Sequence, residues 1–233
     1  CHDPTYNPAF GVPKRRVLVT GYPRNDMLFR EFVGWDIGVN TSLYQDILEK
    51  KLEKHSKILL YLPTFRDSGG NILDEGKFNL SKLSEFLESN NSYLVVKYHQ
   101  AAEQPKHNDS KRIVFLPNDF DVYPLLRNVH ILITDYSSVY FDFLLLDKPI
   151  IFFPFDIRKY VSKDREFYFD YDEFTPGPKA YTFDELLEWI KYFINGNDEF
   201  SEKREKIRDL AFKYVDGNSS ERVYNSILSC SSP

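Results

Sequence analysis

The sequence is poor in the residues that mark several common classes of protein. It has only two cysteines in 233 residues, Cys1 and Cys230, and they stand at opposite ends of the chain. Two such distant cysteines form neither a disulfide framework nor a zinc-binding pattern, so we expect a reducing compartment. The longest apolar runs, at residues 58–62 and 150–155, are far shorter than the roughly 18 residues of a membrane-spanning helix. We therefore expect no transmembrane segment.

Several catalytic motifs are also missing from the sequence. It contains no Gly-x-Gly-x-x-Gly or Gly-Lys-Ser/Thr loop, which argues against a Rossmann dehydrogenase and a P-loop NTPase. It contains no His-Glu-x-x-His and no Gly-x-Ser-x-Gly, which disfavours a zinc protease and a serine hydrolase. Lys and Arg number 30 against 35 Asp and Glu, for a net charge of −5. This balance argues against a broadly basic surface, so we expect no nucleic-acid partner.

The sequence does contain short apolar runs that alternate with segments of helical periodicity. The runs are nearly continuous in apolar character, as in strands that are buried on both faces, which favours a parallel sheet with helices on both sides. The predicted fold class is therefore α/β, a doubly wound parallel sheet followed by C-terminal helices. The predicted strands are residues 17–20, 58–62, 93–97, 113–116, 129–134 and 149–153, and the predicted helices are residues 40–54, 80–87, 138–146, 183–194, 200–215 and 220–228.

Polar side chains directly follow five of these strands. Ligands of open parallel sheets bind outside the carboxyl ends of the strands. Since all five ends deliver hydroxyl, carboxylate, imidazole or guanidinium groups to one edge, the pattern predicts a ligand cleft there. The segments that follow the strands are residues 21–26, 63–67, 98–99, 134–138 and 154–156.

The segment from Thr134 to Asp142 is the most informative of these. Ser137 and Ser138 lie where a predicted strand meets a predicted helix, and the exposed N–H groups of a helix start favour phosphate. Asp142 follows one turn later on the same face as Ser138 and could accept hydrogen bonds from a ribose. We predict that Thr134 and Asp135 contact the nucleotide too, although serine is a common N-cap and Asp135 could act only as a cap.

Three basic side chains lie at predicted strand ends. His99 could donate to a phosphate oxygen or move a proton near neutral pH, or could be a core histidine bonded to backbone. Arg24 and Arg66 suit bidentate phosphate binding. Each arginine has an aspartate nearby, Asp26 and Asp67 respectively, so an ion pair that only fixes the loop is the alternative.

Six ordered segments together resemble the CDP-glycerol glycerophosphotransferase family, the teichoic-acid and capsule polymerases of GT-B architecture. The resemblance covers about residues 17–228. Its motifs are Gly-Tyr-Pro-Arg-Asn-Asp at 21–26, Pro-Thr-Phe-Arg-Asp at 63–67, Lys-Tyr-His at 97–99, Thr-Asp-Tyr-Ser-Ser at 134–138 with Phe-Asp at 141–142, Pro-Ile-Ile-Phe at 149–152, and Asp-Gly-Asn-Ser at 216–219.

The resemblance implies a role for each candidate residue. His99, Ser137 and Ser138 would hold the donor pyrophosphate, and His99 would also take part in catalysis. Asp142 would hold the ribose, and Arg24 and Arg66 would line the phosphate end. Gln100 stands where the family usually has proline after this histidine, which changes local backbone stiffness but leaves the imidazole in place.

The resemblance also implies a reaction and a domain organisation. A polyol-phosphate such as glycerol-phosphate would move from CDP-glycerol or CDP-ribitol to a hydroxyl of a polyol-phosphate or glycan acceptor, with release of CMP. The chain would be a Rossmann-like donor-binding domain at 17–182, after an irregular lead-in at 1–16, with C-terminal helices at 183–233. The family's first domain carries a histidine in a His-Gly motif as the expected base. No His-Gly occurs here, so we expect that an N-terminal domain with this base is missing from the chain.

Two other classes stay open on the residues alone. One is a GT-B glycosyltransferase or epimerase that uses a UDP- or GDP-sugar, and the other is a non-catalytic binding module. For the family interpretation we expect no resident cofactor, with a role for Mg²⁺ left open, and a cytoplasmic protein that is peripheral at the inner face of the bacterial cell membrane.

Overall fold

The computed structural model describes residues 11, 13, 17–31, 40–53, 55–66, 79–98, 110–163 and 169–230. Its centre is a sheet of five parallel strands in the order β3-β2-β1-β4-β5, which confirms the predicted α/β fold class. The strands are β1 (Lys57–Leu62), β2 (Ser92–Val96), β3 (Ile113–Phe115), β4 (Ile131–Thr134) and β5 (Ile150–Phe152).

Helices surround this sheet. A 3-10 helix spans Pro23–Leu28 and precedes the first strand. The α-helices are α1 (Thr41–Glu53), α2 (Leu80–Ser89), α3 (Tyr123–Leu126), α4 (Val139–Leu144), α5 (Ile157–Lys163), α6 (Tyr171–Phe174), α7 (Phe183–Ile194), α8 (Ser201–Ala211) and α9 (Ser219–Cys230). No helix in these described ranges is both long and apolar enough to cross a lipid bilayer.

The strands are apolar throughout because each one contributes to two cores. Along β1, Ile58 and Leu60 point to one face of the sheet, whereas Leu59 and Tyr61 point to the other. All four side chains are buried. The same alternation continues across the sheet, since Leu59 is in register with Leu94 of β2. Burial on both faces is the physical reason for the uninterrupted apolar runs in the sequence.

Each core is closed by helices on its own side of the sheet. Leu83 of α2 and Leu186 of α7 pack on the face that carries Leu59. Phe143 of α4 and Ile207 of α8 pack on the opposite face. The sheet is therefore doubly wound, and helices after residue 183 pack against it. The exact division of the chain at residue 183 stays a prediction.

The prediction of a strand at residues 17–20 is wrong. This segment is irregular and pairs with no strand among the described residues. Its central side chain, Leu18, is 60% exposed, so the run lacks the apolar partner that a buried strand needs. β1 already has parallel neighbours on both sides, β2 and β4. The residues that follow, 21–26, are placed instead by the 3-10 helix.

Short helices are the other feature that the sequence pattern does not predict. The loop-rich stretch predicted up to residue 179 contains α5 and α6, and α3 precedes β4. These helices have four to seven residues, too few to show a helical period. The predicted helix at 200–215 ends earlier, at Ala211, because Phe212 is extended.

Candidate functional site

A cavity of about 540 Å³ opens at the carboxyl edge of the sheet, where the sequence predicts a cleft. The chain leaves β1 for β2 on one side and returns to β4 on the other, so this edge carries the topological switch point at which such folds bind ligands. The volume suits a small molecule. The lining residues are Leu62, Pro63, Thr64, Phe65, Lys97, Tyr98, Asp119, Phe120, Asp121, Val122, Tyr123, Ser137 and Val139.

One wall of the cavity carries a fixed positive charge at Lys97. Its ammonium donates to the carbonyl oxygens of Tyr98 (2.9 Å) and Asn118 (2.8 Å), and so it ties the end of β2 to the next loop. Burial lowers the pKa of Lys97, while the charges of Asp119 and Asp121 act in the opposite direction. Lys97 is not among the site residues predicted from the sequence, although it lies directly before residues 98–99 at the end of a predicted strand.

The two serines lie where they were predicted, between β4 and α4. Ser137 lines the cavity, and its Oγ is 3.5 Å from the amide nitrogen of Val139. Ser138 is the N-cap residue of α4 and is exposed, and its side chain makes no capping hydrogen bond within the described chain. Ser137 and Val139 thus line the cavity on either side of Ser138 in the chain, while the binding of pyrophosphate by the two serines stays a prediction.

Thr134 and Asp135 have a different place from the predicted one, because both are fully buried. The hydroxyl of Thr134 donates to the carbonyl of Leu62 (2.7 Å), which joins β4 to β1. One oxygen of Asp135 accepts from the backbone N–H (2.9 Å) and hydroxyl (2.6 Å) of Thr64. The same oxygen accepts from the N–H of Tyr136 (2.6 Å). Neither side chain lines the cavity, and each is held by partners within the protein, so their contact with a nucleotide stays a prediction.

Arg66 is also part of the wall and does not line the cavity. Its guanidinium makes two hydrogen bonds with Asp156 (2.8 and 3.0 Å), one with Asp135 (2.8 Å) and one with the carbonyl of Thr64 (2.5 Å). Four of its five N–H groups are thus used by protein acceptors. Burial alone would lower the pKa of Arg66, but Asp156 and Asp135 outweigh burial and raise it. Of the two interpretations of this residue, the geometry favours the ion pair, with partners from distant segments.

Asp142 is buried in α4 and bound by three protein donors. It accepts from Arg24 Nη2 (2.9 Å), Asn25 Nδ2 (2.8 Å) and the Tyr123 hydroxyl (2.6 Å). These donors cover the carboxylate, which is buried, and the predicted hydrogen bond from a ribose stays a prediction. Tyr123 lines the cavity, and burial and the charge of Asp142 raise its pKa, so it remains a donor at neutral pH.

Arg24 differs from Arg66 and Asp142, the other charged residues of this group, because its side chain is 53% exposed. Its guanidinium carbon lies 5.1 Å from the ring centre of Tyr22 and 5.2 Å from that of Tyr123. The two rings and the ion pair with Asp142 hold the guanidinium next to a residue of the cavity lining. This arrangement suits an anion.

His99 lies outside the described residues, so its predicted role is neither supported nor opposed by the geometry. Lys97 and Tyr98, which directly precede it, both line the cavity. His130 accepts a hydrogen bond from the backbone N–H of Ile58 (2.9 Å) through Nδ1, which is a structural role between β1 and the start of β4. Within the described ranges, no group of three or more His, Cys, Asp or Glu side chains could hold a metal ion.

A family of known proteins matches this chain over nearly its whole length. The family model for CDP-glycerol:poly(glycerophosphate) glycerophosphotransferase matches residues 2–229 of the sequence. The chain therefore belongs to this family, which confirms the resemblance found in its motifs.

Curated relatives include two polymerases of teichoic acid. The ribitol-phosphate polymerase TarL of Staphylococcus aureus (strain NCTC 8325 / PS 47) is 32% identical over 231 residues, covering 97% of this chain and 39% of that protein. The poly(glycerol phosphate) polymerase of Bacillus subtilis (strain 168) is 31% identical, covering 92% of this chain and 29% of that protein. The chain thus spans well under half the length of these two relatives.

The fold is similar to that of a solved polymerase. The wall teichoic acid polymerase TagF superposes with a TM-score of 0.73 at 30% identity, covering 96% of this chain and 55% of TagF. A TagF variant soaked with CDPG superposes equally well, with a TM-score of 0.73 at 29% identity over 96% of this chain and 54% of that one. The likeness supports the GT-B-like interpretation of the sheet and its helices.

Proposed function

We propose that this chain is the donor-binding part of a polyol-phosphate transferase of surface-polymer synthesis, of the teichoic-acid or capsule kind. The observation that carries the proposal is the cavity at the switch point of the sheet, in a chain that belongs to the glycerophosphotransferase family. A fixed ammonium at Lys97, the hydroxyls of Ser137 and Tyr123 and several aromatic faces surround that space. Such a set suits a nucleotide with a charged diphosphate.

The proposed reaction is the transfer of glycerol-phosphate or a similar polyol-phosphate from a CDP-activated donor. The oxygen of an acceptor hydroxyl forms a bond to the phosphorus that bears the polyol. The bond from that phosphorus to the bridging oxygen breaks, CMP leaves with this oxygen, and the proton of the hydroxyl passes to a base. Such a step depends mainly on positioning and on neutralising charge. In this chain we assign charge neutralisation to His99, Lys97 and Arg24.

The partners of the reaction belong to the same proposal. The chain spans only part of its relatives, so we infer that another part of the polypeptide supplies the second half of the cleft and the base. Relatives named for ribitol-phosphate and for glycerol phosphate support CDP-ribitol and CDP-glycerol as donors. The acceptor would be a polyol-phosphate or glycan chain, reached at the inner face of the cell membrane.

Calorimetry on the intact protein tests the donor assignment. We expect CDP-glycerol or CDP-ribitol to bind, CMP to bind more weakly, and UDP-sugars not to compete. A folded protein that binds none of the cytidine compounds at millimolar concentration would contradict the proposal. Preference for a UDP-sugar would instead favour a sugar-nucleotide enzyme.

Turnover tests the role of His99. We expect His99→Ala to lower the rate of polymer synthesis by roughly 10²–10⁴-fold, the scale of a lost proton or charge donor. His107→Ala is the matched control, because that histidine lies outside the family motifs at residues 97–99 and 134–142. An unchanged rate in the His99 variant would remove this residue from the mechanism.

A further inference from the structure

Two motifs of the sequence, at residues 21–26 and 216–219, bind each other although they are remote in the chain. Both oxygens of Asp26 accept backbone N–H groups at the start of α9, from Ser219 (2.8 Å) and Ser220 (2.8 Å). Asp26 is buried, and Ser219 lies 193 positions further along the chain. Burial alone would raise the pKa of Asp26, but hydrogen bonds from Ser220 and Ser219 outweigh burial and lower it. The carboxylate is therefore ionised at neutral pH.

Two further contacts close this junction. Gly21 has a φ of +84°, and a Cβ on it would come within 2.4 Å of Ser219 Oγ, so the close approach requires glycine. The guanidinium of Arg222 donates through Nε to the carbonyl of Thr20 (2.8 Å). We call Gly21, Asp26, Ser219, Ser220 and Arg222 the clasp.

The clasp holds the 3-10 helix that carries Arg24. A 3-10 helix of six residues is weak by itself, because its hydrogen-bond geometry is poor and runs of this length are uncommon. Its N-cap residue, Tyr22, makes no capping hydrogen bond through its side chain within the described chain. The helix must therefore be fixed from outside, by Asp26 on one side and by the bonds of Arg24 and Asn25 to Asp142 on the other.

Arg24 is the residue of this 3-10 helix that combines a charge with solvent access beside the cavity. Asp26, the other charged residue of the helix, is buried. The guanidinium of Arg24 donates to Asp142 through Nη2, while half of the side chain stays open to solvent. Its usefulness for an anion depends on where it is held, since an arginine that samples many rotamers loses entropy when it binds.

We propose that Asp26 is a positioning residue, which acts through the clasp and the 3-10 helix to hold Arg24 ready for a phosphate of the donor. This inference rests on the proposed function and extends it, because the start of α9 would support the donor site indirectly, through Asp26 and Arg24. Asp26 itself touches no ligand. Its contribution reaches the donor only through Arg24.

A purely structural role predicts a different pattern. If Asp26 were only a cap for α9, its loss would lower the stability of the protein, and any effect on donor binding would not depend on Arg24. A double-mutant cycle separates the two roles, because residues that act through one another give non-additive effects.

The experiment uses the intact protein with the variants Asp26→Asn, Arg24→Gln and the double variant. The Asp26→Asn substitution keeps the size of the side chain but sets an amide N–H₂ against a backbone N–H. We expect Asp26→Asn to raise KM for the CDP-polyol donor, and its Kd by calorimetry, about tenfold, with kcat changed much less. In the Arg24→Gln background, the same substitution should change both values less than about twofold.

Thr182→Ala is the matched control. Thr182 caps α7, which has twelve residues like α9, and it takes no part in the cavity lining. Its loss should lower thermal stability but leave donor KM within about twofold. Gly21→Ala is a second probe of the clasp, and it should raise donor KM in the same Arg24-dependent way.

The outcomes are distinct. Equal effects of Asp26→Asn with and without Arg24, or no effect on KM in a folded variant, overturn the positioning role while the proposed function stands. If Asp26→Asn does not fold, Gly21→Ala decides in the same manner. A wild-type protein that binds no cytidine nucleotide removes the proposed function and this role together.

Discussion

Two arginines near the same cavity, Arg66 and Arg24, each form ion pairs with aspartate but differ in exposure and in the number of their hydrogen bonds. Arg66, paired with Asp135 and Asp156, is 8% exposed and uses four N–H groups on protein acceptors. Arg24, paired with Asp142, is 53% exposed and uses one N–H group on an acceptor within the described part of the chain. The same two residue types thus stabilise the protein around Arg66 but leave the charge of Arg24 accessible to solvent.

The second carboxylate explains the difference. Asp156, which follows β5, adds two hydrogen bonds to Arg66, and the Tyr136 hydroxyl donates to the same carboxylate (2.9 Å). The ring centres of Tyr136 and Tyr160 lie 5.0 and 5.3 Å from the guanidinium carbon of Arg66, and the side chain is buried. Arg24 has one carboxylate and two rings, with one side open to solvent. The number of acceptors therefore decides which arginine can serve a ligand.

The largest loss of stability should come from breaking the buried ion pairs of Arg66 with Asp135 and Asp156. Arg66→Met leaves the buried charges of Asp135 and Asp156 without their cation, and we expect the free energy of unfolding to fall by about 3–5 kcal/mol. Urea denaturation measures this loss. Arg24→Met is the control, and it should cost less than about 1 kcal/mol because the Arg24 side chain is half exposed and Asp142 keeps the donors Asn25 and Tyr123. Equal losses in the two variants would refute the contrast.

The next effect should appear in ligand binding and not in stability. Arg24→Met would remove the charge-assisted hydrogen bond to phosphate that we propose, so we expect Kd for CDP-glycerol to rise roughly 10–100-fold. Calorimetry measures the change. Arg24→Lys keeps the charge but loses the planar fork, so its Kd should lie between the two. Unchanged affinity in the Met variant would show that Arg24 faces no ligand.

A smaller loss of stability should follow from removing one of the hydrogen bonds to Asp142, the partner of Arg24. Tyr123→Phe removes the hydroxyl that donates to Asp142 (2.6 Å), and we expect the free energy of unfolding to fall by about 1–2 kcal/mol. Tyr224→Phe, at an exposed position of α9, is the control and should change it little. The idea fails if the two tyrosine variants are equally stable in urea.

The smallest effect should be a dependence on pH carried by Asp26. Its pKa is lower in the folded protein than in the unfolded chain, so the unfolded chain takes up the proton first as pH falls. The stability that Asp26 contributes is therefore present above its ordinary pKa near 4 and is lost below it. Urea midpoints at neutral and acidic pH should fall more steeply for the wild type than for Asp26→Asn. Parallel curves would contradict this.

The sequence predicts the fold well where apolar patterns are long. The boundaries of α7 agree with the predicted 183–194, because its apolar side chains recur at helical spacing over three turns. The run at residues 17–20 is as apolar as a strand, but a strand forms only where a neighbouring strand has an unpaired edge. Four residues carry no information on that point.

The sequence predicts the place of the site better than the roles of its residues. Ser137 reaches the cavity because it follows β4, and strand ends are predictable. Arg66 and Asp142 are buried by partners that lie 90 and 117 positions away, Asp156 and Asn25. No local pattern reveals such partners, so the sequence could not separate wall residues from ligand residues.

The clasp also sets an order of events during synthesis. Asp26 leaves the ribosome before its two amide partners, which lie 193 and 194 positions later in the chain. The 3-10 helix beside the cavity therefore cannot be fixed while the chain is still growing through the sheet. We therefore expect a nascent chain to bind the nucleotide only after the start of α9 has been translated.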